Sequence, residues 1–338
     1  MNGDMSGMGS LCLPDQLHPV PPGGILGMET MVKGKPAPWG PAEGNAARRL
    51  ITWALEEDLT APDGRHGDAT CLALVPASLK GQAALVARSE GILAGFPVVP
   101  LVFSALDPDM RVESLAPEGT RLTPGMPIAR LAGPMRALLE GERTALNLLQ
   151  RLSGVATMAH RYARLVADLP CVVLDTRKTI PGLRLLEKYA VRVGGAFNHR
   201  LGLADGILVK DNHLACLAGK MRADPATARA AARQARAYAQ AHPPLLVEVE
   251  VETLAQLEQV LAEYPDVVLL DNMSPVQVRD AVGLRDRLAP RVLLEASGGI
   301  RLENLREYAL AGADRISIGA MTHQATALDM ALDYIPDA

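Results

Sequence analysis

The spacing of apolar positions divides this chain of 338 residues into stretches of different character. Residues 1–44 are rich in Gly, Pro and Met and have no periodicity, which predicts a disordered or extended segment. From Asn45 the run NAARRLITWALEEDL sets Leu50, Trp53, Ala54 and Glu57 on successive turns, an amphipathic helix with Asn45 as its cap. Between residues 81 and 133, short β-like runs such as AALVARS and MPIARLAG alternate with turn-forming stretches such as APEGTRLTPG. PMRALLEGERTALNLLQRLSGVATMAHRYARLV is helical in spacing, with Gly154 as the expected break between two helices.

From residue 171 the pattern becomes strand–helix. Six apolar runs end in a polar residue or glycine: VVLD, ILVKD, LLVEVE, VVLLD, VLLEASGG and RISIGA. Between them, TLAQLEQVLAEY puts Leu254, Leu257, Val260 and Leu261 on one helical face. Ser274-Pro275 is a helix start, and Gly312 closes LENLREYALAGA in a C-terminal cap position. Near-continuous Val/Ile/Leu runs indicate strands covered on both faces, hence a parallel sheet or barrel. The chain is therefore α/β, with an α+β unit over 45–150, a barrel over 151–322, and residues 323–338 expected as a helix packing back on the first unit.

Composition narrows the function classes. Aromatics are 3% of the chain and the net charge is −4, which argues against nucleic-acid and membrane surfaces. Locally the balance reverses. Asp175 to His213 holds seven Lys/Arg against four acids, a concentration suited to a small anionic substrate. Cys12, Cys71, Cys171 and Cys216 are scattered without a C-x-x-C pair, as in a reducing compartment. With no membrane-length apolar run and no signal-like segment, a cytoplasmic location is expected.

In such barrels active sites sit at the C-terminal ends of the strands. Those ends supply Arg177 and Lys178, Lys210, Glu250, Asp271, Ser297 to Gly299, and Gly319. Arg177, Lys178, Arg200 and Lys210 crowded in one mouth require anions of comparable charge. Glu250 and Asp271 suit either Mg²⁺ shared with substrate phosphates or the stabilisation of a cationic transition state. Gly298, Gly299 and Gly319 allow a phosphate to approach backbone amides. His199 and His323 are single histidines raised only by position. Together these groups suggest chemistry on a phosphorylated sugar plus a carboxylated partner.

Six motifs in order then resemble the quinolinate phosphoribosyltransferase family: ERTALNLLQRLSGVAT, DTRKTIPGLRLLEKYAVRVGGAFNHRLGLADGILVKDNH, VEVEVETLAQL, LLDNM, ASGGI and ISIGAMTH. EEDLTAPDGRHGDAT is similar to the family's early E-D-L…G-D-x-T element, so the resemblance runs from about Asn45 onward. It implies an N-terminal α/β sandwich and an open α/β barrel of about seven strands, the seventh falling around Ala196 to Asn198. It implies a homodimer in which Arg143 reaches the partner's barrel mouth. The implied reaction joins quinolinate and phosphoribosyl pyrophosphate to give nicotinate mononucleotide, pyrophosphate and CO₂. By the same resemblance Arg143, Thr176, Arg177, Lys178, His199 and Arg200 hold quinolinate, and Lys210 sits between it and the phosphoribosyl group. Glu250 and Asp271 hold Mg²⁺ or the ribose hydroxyls, and Lys178, Lys210, Glu250 and Asp271 are the catalytic set. Ser297, Gly298, Gly299, Gly319 and His323 take the 5′-phosphate, and no organic cofactor is implied. Ile180, Val193 and Ala196-Phe197 depart from the family's commonest pattern without removing a charge.

Three other readings compete. A related barrel protein of molybdenum-transport operons is disfavoured by the complete NHR and VKDNH elements. A nicotinate or nicotinamide phosphoribosyltransferase needs fewer cations than are present. A non-catalytic metabolite-binding protein has no need of intact Glu250, Asp271 and glycine pairs.

Overall fold

The computed structural model of the protein describes residues 38–219 and 224–335. The first unit opens with α1 (Pro41–Leu59), α2 (Ala69–Leu74), β1 (Lys80–Ala87) and β2 (Gly91–Ile92). Then come α3 (Val98–Leu106), β3 (Arg111–Ser114), β4 (Arg121–Leu122), β5 (Pro127–Pro134) and the long α4 (Met135–Leu165). The second unit begins β6 (Val172–Leu174), α5 (Arg184–Val193), β7 (Ile207–Val209), α6 (Asp211–Ala218), α7 (Pro225–Ala241) and β8 (Val247–Val251). It continues α8 (Leu254–Leu261), β9 (Val267–Asp271), α9 (Pro275–Leu288) and β10 (Leu293–Ser297). The last elements are α10 (Leu305–Leu310), β11 (Arg315–Ser317), α11 (Ala320–His323) and β12 (Met330–Ile335).

The second unit is a six-stranded parallel sheet in the order β6-β11-β10-β9-β8-β7, with its helices outside. The seventh position, expected around Ala196 to Asn198, is reduced to a single parallel bridge between Leu174 and Phe197. Two backbone bonds make it: Phe197 N donates to Val173 O (2.9 Å) and Asp175 N to Phe197 O (3.0 Å). The turn before it, Gly194-Gly195, packs where a Cβ on Gly194 would stand 2.3 Å from Ala156 O of α4. Every residue of β8 is buried, including the alternating Glu248 and Glu250.

The first unit is a four-stranded antiparallel sheet in the order β12-β1-β5-β3, packed on α3 and α4, with α1 lying against those helices. Several expectations are corrected here. Of the expected extended segment, residues 1–37 lie outside the described residues, but α1 already starts at Pro41. Gly40 caps it instead of Asn45, with the Gly40 amide donating to Glu43 Oε2 (3.1 Å) and Pro41 preset for the first turn. The buried stripe of α1 is Ala47, Ile51, Leu55 and Leu59, and Trp53 is 66% exposed. Both stripes have helical spacing; the one built on a strict i, i+4 run of aliphatics fits against α3, α4 and α5.

Gly154 does not break α4, which runs unbroken for 31 residues and spans the expected division at 150/151. A Cβ on Gly154 would lie 2.0 Å from Thr326 O, so the glycine serves a close backbone approach. The expected C-terminal helix is also corrected. Residues Met330–Ile335 form a strand that pairs antiparallel with β1, from Gln82↔Ile335 to Ala87↔Met330. The open edge of β1 offers a ladder of backbone partners that a short helix could not use, and Arg88 pins the strand by two bonds to Asp333 (2.6 and 2.8 Å). The segment does pack back on the first unit.

Candidate active site

Asp175, the first residue of DTRKT, is fully buried and anchors the mouth. It accepts from Lys188 Nζ, from His199 N (2.8 Å) and, on its other oxygen, from Asn198 Nδ2 (2.7 Å). Lys188 Nζ also donates to His199 O (2.9 Å). Burial alone would push the Asp175 carboxyl up, and the Lys188 charge with three donors opposes it. The end of β6 is thus tied to the NHR segment before any ligand arrives.

The seven cations of the basic stretch separate by partner. Lys188 pairs with Asp175, Arg192 with Glu43 of α1 (2.8 Å), and Lys210 with Glu250 (2.7 Å). Among the described residues Arg177, Lys178, Arg184 and Arg200 have no carboxylate within ion-pair distance. Arg184 is held instead by Thr179 Oγ1 (3.0 Å) and Leu201 O (3.4 Å). Arg200 is buried and donates to Gly206 O (2.9 Å); its pKa is lowered by burial and then by the charge of Arg177. Arg177 Nε is buried without a hydrogen-bond partner among the described residues. The charge of Arg177 thus bears on Arg200, more distant Glu248 and Asp205 offset it only in part, and an anionic ligand between the two would relieve the repulsion.

His199 stands beside them with both ring nitrogens engaged. Nδ1 accepts from Arg200 N (2.8 Å), which leaves the ring proton on Nε2, 2.9 Å from Glu248 Oε2 and 3.5 Å from Glu295 Oε1. Arg315 Nε donates to Glu295 Oε2 (2.9 Å). Burial and the neighbouring Glu248 push the Glu295 carboxyl up, against Arg315 and His199. Glu248, Glu295 and Arg315 form a buried polar layer one step below the mouth, and the sequence reading missed all three. The signal was present. Each lies two residues before a strand-end position, in EVE, EAS and RIS, and alternate residues of a strand share a face.

Opposite, Glu250 receives Lys210 on one oxygen and the Asp211 amide (3.3 Å) on the other. Asp271 has its carboxyl raised, first by burial and then by the charge of Glu250, while Asn272 Nδ2 donates to it (2.7 Å). Asp271 thus lies within reach of the Glu250 charge. Asn272 has φ +53 and its Oδ1 fills the place a Cβ on Gly298 would occupy, 2.2 Å away. Gly298 at φ +90 and Gly299 at φ +65 turn the chain immediately after Ser297, and the space beside Gly299 is open. Gly319 lets Lys178 cross it, since a Cβ there would meet Lys178 Cδ at 2.9 Å and His323 Nε2 at 3.2 Å. Lys178 and His323 are thereby brought to one spot.

Thr176 accepts the Lys178 amide on its Oγ1 (3.1 Å), shaping the turn that separates Arg177 from Lys178. Arg143 alone lies apart. Its side chain is 63% exposed on α4, with Glu142 3.9 Å away as an ion-pair partner.

A parallel α/β barrel whose mouth joins unpaired guanidiniums, two carboxylates and glycine turns is the architecture of an enzyme acting on a phosphorylated, anionic substrate. Comparisons with known proteins specify it. The family model described as quinolinate phosphoribosyl transferase, C-terminal domain, matches residues 155–333, and its N-terminal counterpart matches residues 68–153. The chain is 44% identical over 294 residues to a nicotinate-nucleotide pyrophosphorylase [carboxylating] of Mycobacterium leprae, covering 86% of this chain and 98% of that protein. It is 43% identical over 253 residues to a probable enzyme of the same name from Bacillus subtilis, covering 75% and 83%. The crystal structure of NadC from Streptococcus pyogenes superposes with a TM-score of 0.77 at 37% identity, covering 89% of this chain and 100% of that one. The chain belongs to the quinolinate phosphoribosyl transferase family.

Proposed function

We propose that the protein transfers the phosphoribosyl group of phosphoribosyl pyrophosphate to quinolinate with decarboxylation, yielding nicotinate mononucleotide, pyrophosphate and CO₂. The observation that carries this reading is the neighbouring pair of half-buried Arg177 and buried Arg200, neither with a carboxylate in ion-pair distance among the described residues. A pyridine dicarboxylate supplies two negative groups at fixed separation, and guanidiniums bind each by paired hydrogen bonds. Lys178, Thr176 and His199 complete the pocket wall, and Arg143 enters from a second subunit of a homodimer.

Lys210 lies between this pocket and the carboxylates, where it touches the ring-ribose junction. Glu250 and Asp271 suit Mg²⁺, because their mutual repulsion is what a divalent cation removes. A divalent cation held by Glu250 and Asp271 would supply positive charge toward the departing pyrophosphate. Ser297, Gly298, Gly299, Gly319 and His323 receive the 5′-phosphate. The protein's own groups then act chiefly by orientation: they aim the ring nitrogen at the anomeric carbon and hold oxocarbenium-like charge near Glu250 and Asp271.

Formation of the C–N bond leaves the pyridine nitrogen positive. Breaking the adjacent ring-carbon bond to the carboxylate then leaves its electron pair on carbon, stabilised by that charge, and a proton from solvent replaces CO₂. This chemistry requires no organic cofactor. The free Cys71, Cys171 and Cys216 suit a cytoplasmic setting, and no helix among the described residues is long and apolar enough to cross a membrane.

The test offers purified protein, phosphoribosyl pyrophosphate and Mg²⁺ with quinolinate or nicotinate, following CO₂ and mononucleotide. Release of both products from quinolinate alone is expected. Turnover of nicotinate instead would reject the two-carboxylate pocket, and inactivity with both would reject the enzymatic reading.

A further inference from the structure

The DTRKT loop is held from behind by a brace that the reaction itself does not explain. Glu187 of α5 is fully buried, and its Oε2 accepts the Ile180 amide (3.2 Å), fixing the loop's far end. Thr322 Oγ1 donates to Lys178 O (2.7 Å), fixing its middle. Both holding points converge on Arg151 of α4. Its Nε and Nη2 donate to Glu187 Oε1 (2.9 and 2.6 Å), Nη2 also to Thr322 O, and Nη1 to Ala325 O (2.7 Å). One guanidinium thus joins α4, α5 and the segment after β11 behind the two residues that meet the ligand.

We propose that Arg151 and Glu187 are positioning residues for the anion-binding loop, acting through Lys178 O and the Ile180 amide to set where Arg177 and Lys178 present their charges. The proposal rests on the quinolinate reading above. Among the described residues Arg177 has no carboxylate partner to orient it, so the backbone on either side determines its direction. Arginine is required because the brace uses a planar fork toward three acceptors, and lysine cannot span them. Glutamate is required because both oxygens accept at once. A glutamine turns one of them into an amide donor facing either Arg151 or the Ile180 N–H.

The experiment compares Glu187→Gln and Arg151→Lys with a control, Arg285→Gln, which breaks the Arg285–Asp314 pair (2.7 Å) at the opposite end of the barrel strands. Quinolinate affinity, both Michaelis constants, Tm and amide exchange of the peptide spanning 175–183 are measured on the full-length protein. Glu187→Gln is expected to weaken quinolinate about tenfold, the scale of one misdirected charge-assisted bond, with the constant for phosphoribosyl pyrophosphate nearly unchanged. Its loop peptide should exchange faster, and Arg151→Lys should be affected to a lesser degree. Arg285→Gln should lower Tm without either effect. If the brace variants lower Tm as the control does but leave quinolinate affinity and loop exchange unchanged, the brace is structural only and the proposal fails. A wild-type protein that binds no quinolinate would overturn the function reading, whereas faster loop exchange in the variants would still support the brace.

Discussion

Arg200 is buried, yet among the described residues its guanidinium makes a single hydrogen bond, to Gly206 O (2.9 Å). Replacing it with alanine removes repulsion on Arg177 but also the carboxylate partner. Arg200→Ala is therefore expected to raise the Michaelis constant for quinolinate about 10- to 100-fold, from the ~1.5–3 kcal/mol of a hydrogen bond to a charged group. Steady-state kinetics with quinolinate varied would reveal it, and an unchanged constant would disprove the clamp. Gly298→Ala acts on the other substrate. At φ +90, with Asn272 Oδ1 2.2 Å from the new Cβ, the turn must open, and the affinity for phosphoribosyl pyrophosphate should fall more than that for quinolinate. Titrating each substrate separately checks this. The mouth residues were legible in the sequence because charge and glycine at strand ends interrupt apolar runs. Lys188, one of the seven cations counted over Asp175 to His213, proves buried against Asp175, since a sequence does not say which acid a lysine meets. Arg151 and Glu187 were illegible as a pair for the same reason, 36 residues apart on different helices.

At the scale of elements, α4 shows how a glycine can mislead. Within a helix, Gly→Ala ordinarily gains about 1 kcal/mol of helix propensity. At Gly154 the new methyl would face the Thr326 carbonyl at 2.0 Å, and backbone cannot step aside as a side chain can. Overpacking of this kind costs about 1–3 kcal/mol, so Gly154→Ala should destabilise despite its propensity. Denaturant unfolding measures the sign, and a stabilised variant would contradict the packing. The same limit accounts for the stripe of α1 and the strand β12. Local periodicity fixed the existence of α1 but not its buried face, which depends on α3, α4 and α5. It suggested a helix near the C-terminus because only the distant edge of β1 makes an extended form worthwhile.

At the scale of the molecule, the two units share one continuous core, and α4 spans both. Arg143 projects from this helix into solvent, 63% exposed, while Arg151, two turns on, reaches inward behind the loop. If Arg143 completes a neighbouring pocket, inactive Arg143→Ala and Lys210→Ala proteins should regain activity when mixed, because half of the sites in mixed dimers carry neither change. Activity assays after subunit exchange, with mixed dimers verified by mass, decide it; no recovery would return Arg143 to its own subunit or to a structural role.

The pairing of β12 with β1 also imposes an order in time. The strands β1, β5 and β3 leave the ribosome early, but their fourth neighbour follows only after the entire barrel has been made. At about 5–20 residues per second that wait is on the order of ten to forty seconds. Throughout it the edge of β1 lies open to any passing strand, a hazard of mispairing that ends only when β12 closes the sheet.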